Sequence, residues 1–363
     1  MEEEKYRPGH YMDFSWQMCY ANKYLDLNWF LKCKGYHEVE LLTKEYLKYK
    51  DDPMNPYILN YWAELGIRKD YYPCDINTVN SRRESHHYSV LGPVEWKKKT
   101  YPVIYFCHGG GQDAFEAECY GLAERIPEDE FFYVSPNQYG VEEFERILNE
   151  MTEKRYPIDK SRIYVFGFSG GSGSAAEIAL KCPQKVAGVT FIPGPNAFNQ
   201  MTIDNGKEVF TENSELRIPL ICIGGNCDGG DCWPLVDDIS YSNLNFWMQN
   251  VCKVSEYHSI ERDEAEMLIA DSSSKVQQSF GLKFHKEYIN EMDDTFCYVG
   301  DYLLEDGIAI ARFCSVAGMP HGAFPMYTGV AWSFLKKFSR NTETGKLEYQ
   351  AQNMDFRTRR GGK

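Results

Sequence analysis

VFGFSGGSGSA, residues 165–175, crowds three serines and four glycines into the end of a run of β-formers and the start of an amphipathic stretch. Only Ser169 has glycine two residues away on both sides, in the order Gly167-x-Ser169-x-Gly171. A chain that turns sharply from strand to helix around a serine needs that spacing, because side chains at either flanking position would collide. The same turn lifts the hydroxyl above the sheet and aims the N-terminus of the following helix at it. Ser172 and Ser174 fall one step later and read as residues of the helix's first turn.

The surroundings of this stretch repeat one pattern. TYPVIYFCHGGG ends a strand at 107 in glycines and is followed by the helix DAFEAECYGLAERI; EFFYVSPN is a strand and GVEEFERILNEMTEKRY a helix. RIYVFGFSGG, VAGVTFIPG, IPLICIGG and GIAIARFCSVAG continue the strands, and SGSAAEIALKC, SYSNLNFWMQNVC and AFPMYTGVAWSFLKKFS the helices. Strands that are apolar almost throughout, alternating with amphipathic helices, predict a mostly parallel sheet covered on both faces. Functional groups of such sheets gather beyond the carboxyl ends of the strands.

Three further strand ends carry chemistry of the kind that a serine nucleophile requires. CHGGGQ at 107–112 offers backbone N–H groups unobstructed by side chains, suited to the oxyanion of acyl transfer, and Gly110 with Gly170 is the expected donor pair. VAGMPHGAFP places His321 after the last strand of the series, where it would serve as base to the serine. His108 leads the glycine turn and reads as the residue that holds it. CIGGNCDGGDCWP ends the preceding strand, and Asp228 is the first acid after its turn, with Asp231 close behind as the alternative. A carboxylate there would fix the imidazole tautomer and stabilise the imidazolium. Gln112 and Trp233 are the expected substrate contacts, the latter by stacking on a sugar or phenolic ring, with buried packing, the more common fate of a tryptophan, as the alternative. Asp237 and Asp238 read as capping residues of the next helix.

Composition narrows the remaining classes. The 363 residues are long enough to bury a substantial core, and 43% hydrophobic with 25% charged residues is ordinary for a globular chain. A formal net charge of −14 opposes nucleic-acid binding. The acidic, aromatic N-terminus MEEEKYRPGHYMDFSW does not read as a secretory signal, and no apolar run approaches the ~18 residues of a membrane span. A soluble cytoplasmic protein is the expectation. Twelve scattered cysteines without a signal segment imply reduced thiols, and the pair Cys227 and Cys232 lacks the companions of a zinc site, so no metal is expected.

The pieces YPVIYFCHGGGQ, YPIDKSRIYVFGFSGGSGSAAEIAL, IPLICIGGNCDGGD, NLNFWMQNVCK and AGMPHGAFP, in that order over about 88–340, resemble the α/β-hydrolase esterases that include polyhydroxybutyrate depolymerases, feruloyl esterases and acetylxylan esterases. The resemblance implies an α/β-hydrolase fold and a serine carboxylesterase without metal or organic cofactor. It makes Ser169 the nucleophile, His321 the base, Asp228 the acid, and Gly110 with Gly170 the oxyanion hole. It also implies feruloyl or acetyl esters of plant-derived oligosaccharides as substrates, here intracellular ones. A peptidase, an acyltransferase or a catalytically silent binding protein on the same fold are the alternatives. The expected organisation is an N-terminal helical extension over 1–80, a catalytic domain over 81–340 and a tail over 341–363. The extension and the insertion at 253–306 lie outside the resemblance; either could cap the pocket or mediate self-association into a homo-oligomer.

Overall fold

The computed structural model describes residues 54, 56–73, 86–112, 114–118, 120–199, 210, 215–228, 233–292, 295–319 and 321–350. Among them a ten-stranded sheet runs in the order β1-β2-β4-β3-β5-β6-β7-β10-β9-β8. Its centre is parallel: β4 (Phe132–Pro136), β3 (Tyr101–Cys107), β5 (Ile158–Phe168), β6 (Val186–Ile192), β7 (Leu220–Gly225) and β10 (Ala309–Val316) all point the same way. Every residue of β3, β6 and β7 is buried, which is why these strands are apolar throughout rather than alternating.

The helices between the strands cover the sheet. In α4 (Val141–Glu153), Phe144, Ile147, Leu148 and Met151 recur at helical spacing and are buried. Helix α5 (Gly170–Lys181) packs on β5 and β6, and α9 (Pro325–Leu335) on β6 and β7. The single helix expected after the glycine turn is broken into α2 (Ala114–Glu118), a 3-10 turn (Ala123–Arg125) and α3 (Ile126–Asp129). Gly121 at φ 79 turns the chain where a continuous helix would have run.

Both edges of the sheet differ from the expected organisation. Ile67–Tyr72, placed by sequence in a helical extension, is strand β1, paired antiparallel with β2 (Tyr88–Pro93). Its Lys69 reaches Glu118 of α2 in an ion pair at 2.7 Å, both side chains buried. The sheet therefore starts before residue 81, and the helix α1 (Pro56–Glu64) leads directly into it. The helical reading of 1–53 lies outside the described residues.

At the other edge, the 253–306 insertion adds two strands in place of a cap. Strands β8 (Lys286–Met292) and β9 (Thr295–Leu303) extend the sheet antiparallel beyond β10. They follow α7 (Arg262–Asp271) and α8 (Lys275–Phe280), and Phe280 and Phe284 pack against Phe313 of β10. The edge of β10 is thus covered by pairing. The described part of the expected tail forms a strand: β12 (Leu347–Tyr349) pairs with β11 (Phe338–Arg340). The fully buried Arg340 of this hairpin donates to the carbonyls of Val186, Gly345 and Arg217. The seven described cysteines are free thiols.

Candidate active site

Strands β3 and β5 are parallel neighbours, and Cys107 pairs with Gly167 at their carboxyl ends. The chain leaves β3 toward β4 on one side and β5 toward β6 on the other, so the crevice between their connections opens above these two ends. The glycine turn and the Ser169 stretch come together there because of this reversal in strand order.

Ser169 lies one residue past β5 at φ 51 and ψ −123. A non-glycine residue in that conformation carries strain on the order of 1–3 kcal/mol, sustained by its surroundings. Its N–H donates to the Ile192 carbonyl at 2.5 Å, and its own carbonyl accepts from Ser172 N–H at 2.9 Å. The buried Ser172 hydroxyl stands 3.0 Å from the carbonyls of both Gly167 and Ile192, tying the turn to β6. A Cβ on Gly167 would sit 2.5 Å from Ser172 Cα, and one on Gly171 2.2 Å from the Cys107 carbonyl oxygen. Both glycines are required by close approach of backbone. Ser172 has a positioning role that sequence reading missed, since a serine in a first helical turn gives no local sign of bonding backward across a strand.

The glycine turn closes on itself beside the serine. Gln112 N–H donates to the Gly109 carbonyl at 3.2 Å, and the Gln112 side-chain oxygen accepts from Gly109 N–H at 2.9 Å. His108 is buried, with Nδ1 2.8 Å from the Gly109 carbonyl and Nε2 2.9 Å from that of Asn137, so it anchors the turn to the loop after β4. Gly110 is exposed, and its nitrogen lies 3.6 Å from where a Cβ on Gly170 would stand. The backbones of the two expected oxyanion donors thus face one another, the second at the N-terminus of α5, where the helix dipole adds positive potential.

Asp228 and His321 come from the ends of β7 and β10, which are parallel neighbours paired up to Gly225 and Val316. His321 Nδ1 lies 2.8 Å from Asp228 Oδ2, and both residues are buried. The loops carrying them are laced together: Asn226 N–H donates to the Val316 carbonyl at 3.1 Å, Cys227 N–H to that of Met319 at 3.0 Å, and Gly318 N–H to the Asn226 side-chain oxygen at 2.7 Å. The His321 ring lies 5.2 Å from that of Phe168, the residue before Ser169. A carboxylate held against Nδ1 orients an imidazole and stabilises its protonated form, leaving Nε2 for proton transfer.

Two expected substrate contacts are used otherwise. Trp233 is 4% exposed, its ring edge-on to Phe280 and Phe313, each 5.1 Å away, so it fills the core between the acid loop and the insertion. An indole with so little exposed surface has no face to offer a sugar. Gln112 spends its side-chain oxygen on Gly109 N–H and the Tyr120 hydroxyl. Asp231, the alternative acid, and Cys232 lie outside the described residues. Asp237 accepts from Ser240 N–H at 2.9 Å as the N-cap of α6 (Asp238–Phe246).

No family model matches the chain, and no curated protein matches its sequence. Among solved structures it is similar to an S-formylglutathione hydrolase from Staphylococcus aureus, at 15% identity and a TM-score of 0.33 over 44% of this chain and 80% of that one. It is similar to an S-formylglutathione hydrolase from Agrobacterium tumefaciens at 14% identity and a TM-score of 0.38, over 52% and 84%. A feruloyl esterase module from Clostridium thermocellum matches at 13% identity and a TM-score of 0.34, over 54% and 76%. The strand order, the serine turn after β5 and the acid and histidine loops after β7 and β10 are those of the α/β-hydrolase fold.

Proposed function

We propose that the protein is a serine carboxylesterase. The observation that carries this reading is the buried Asp228–His321 pair at 2.8 Å, set at strand ends with its imidazole 5.2 Å from the ring of Phe168, the residue before a serine held at φ 51 on a turn that approaches Gly110. Holding a buried carboxylate against an imidazole next to a strained serine costs stability, and acyl transfer is the use that repays such an arrangement.

In this mechanism His321 takes the proton of Ser169 as its oxygen attacks the ester carbonyl. The oxyanion is received by the N–H groups of Gly110 and Gly170, with the dipole of α5 behind the latter. His321 returns the proton to the departing alcohol. Water, activated by the same imidazole, then attacks the acyl-enzyme, and collapse releases the acid and regenerates Ser169. Asp228, held against Nδ1, stabilises the imidazolium.

Feruloyl or acetyl esters of oligosaccharides are the proposed substrates, supported by the order and content of the sequence motifs around Gly110, Ser169, Asp228 and His321. The test is hydrolysis of p-nitrophenyl acetate and methyl ferulate, with fluorophosphonate labelling, by wild type and Ser169→Ala. Wild type should hydrolyse one or both and be labelled, and Ser169→Ala should lose labelling and at least ~10³-fold in kcat. Equal hydrolysis by the two proteins rejects Ser169 as nucleophile; a wild type inert toward both esters and unlabelled rejects the esterase reading.

A further inference from the structure

Gln112 bears on how the oxyanion hole is kept in shape, an inference that rests on the esterase reading above. The turn contains three consecutive glycines, Gly109, Gly110 and Gly111, the last at φ 78, and glycine backbones lose more conformational freedom on being fixed than any other residue. Donors that stabilise a transition state must already point at the developing charge, so a turn of this composition needs an external brace.

The Gln112 side chain supplies it. Its Oε1 accepts from Gly109 N–H at 2.9 Å, while its backbone N–H returns to the Gly109 carbonyl at 3.2 Å, closing a ring across the turn. The same oxygen accepts a second, short hydrogen bond from the hydroxyl of Tyr120. Tyr120 is fully buried, and its carbonyl accepts from Thr328 of α9 at 3.1 Å, so the brace ends in the core rather than in solvent. The Tyr120 ring is edge-on to Phe168 at 5.3 Å, and Phe168 in turn contacts His321. There is no space beside Gly109 for a different arrangement: a Cβ there would stand 2.6 Å from Gln112 Oε1 and 2.9 Å from the Phe168 ring.

We infer that Gln112, anchored by Tyr120, is a positioning residue that holds Gly110 N–H toward the oxyanion, and that it acts on the transition state without touching the substrate. Taking up Gly109 N–H also commits that donor, leaving the next one, Gly110, to face Gly170.

The experiment compares wild type, Gln112→Met and Tyr120→Phe. Methionine keeps the length of the side chain and removes the acceptor; phenylalanine keeps the ring and removes one of the two donors. Steady-state kinetics are read with inhibition by an aryl trifluoromethyl ketone, whose adduct with the serine carries an oxyanion, and by the neutral product alcohol. Gln112→Met should lower kcat about tenfold with KM within about twofold, and weaken the ketone by the same factor while leaving the alcohol unchanged. Tyr120→Phe should move both in the same direction by a smaller factor. Wild-type kcat in both folded variants overturns the inference, as does a loss that falls on KM and on alcohol binding, which would make Gln112 a substrate contact. If Gln112→Met fails to fold, Tyr120→Phe decides by the same criteria. A wild type that is neither active nor labelled by fluorophosphonate removes the esterase reading and this inference with it, an outcome distinct from a change confined to the variants.

Discussion

The serine turn divides the glycines of this chain into those that need their missing side chain and those that do not. At Gly171 a Cβ would meet the carbonyl oxygens of Cys107 and His108 at 2.2 and 2.4 Å, and neither can retreat without breaking the end of β3. At Gly110 nothing lies within 4 Å. Gly171→Ala should therefore destabilise the fold by about 3 kcal/mol through overpacking, whereas Gly110→Ala should change stability by less than about 0.5 kcal/mol, as expected of an exposed position free of contacts. Urea titrations of the two variants against wild type measure both effects, and equal midpoints for the two would contradict the geometry. The flanking glycines were legible in sequence because their spacing is fixed by the chain's own turn. The bond of Ser172 to the Ile192 carbonyl was not, since it joins residues twenty apart through strand pairing.

At the level of elements, β5 is held at its start by a local device. Asp159 accepts from Ser161 N–H at 3.0 Å, from the Ser161 hydroxyl at 2.5 Å and from Arg162 Nε at 2.7 Å, just before the strand enters the core. Burial by itself would raise the Asp159 carboxyl, but the hydrogen bonds from Ser161 and Arg162 outweigh it and hold the group below the ordinary carboxylate range. A carboxyl whose folded pKa is depressed adds stability above its unfolded pKa and loses it as pH falls through the folded value. Asp159→Asn should thus be less stable than wild type at pH 7, by about 1 kcal/mol once solvent screening of this partly exposed pair is allowed for, and the gap should shrink at an acid pH below the ordinary carboxylate range. Thermal melts at the two pH values test this; a gap independent of pH would mean that the carboxylate charge contributes nothing. Sequence located β5 and α5 well because each is a long periodic segment with local stops. It placed Ile67–Tyr72 in a helical extension because that segment becomes a strand only by pairing with β2 and burying Lys69 against Glu118.

The whole molecule is closed by Arg340, which no periodicity marks. Burial pulls its guanidinium down to about 10, so it is charged at neutral pH and satisfied by backbone carbonyls alone. It joins the C-terminal hairpin to the start of β6 and to the segment leading into β7. Arg340→Met should cost about 2 kcal/mol or more, because the buried carbonyls of Val186 and Gly345 lose their donor and that of the exposed Arg217 loses it too, and Arg340→Lys should recover only part of that, a single ammonium being unable to span them. Equilibrium unfolding of both variants gives the measurement; a methionine variant as stable as wild type would remove this role. Among the described residues no helix is long and apolar enough to cross a membrane.

By itself the sequence determined the alternation of strands and helices, the sharp turn around Ser169 and the strand ends where polar groups would gather. These depend on periodicity and on glycine, both properties of neighbouring residues. Only the tertiary structure decided that Asp228 and His321, 93 residues apart, would meet, because that follows from parallel pairing of β7 with β10. It also decided that Trp233 would be enclosed by Phe280 and Phe313 and that Gln112 would turn inward to Gly109 and Tyr120. Whether a polar or aromatic side chain faces a pocket or the core depends on which distant surface arrives beside it, and that surface is supplied by the fold of the rest of the chain.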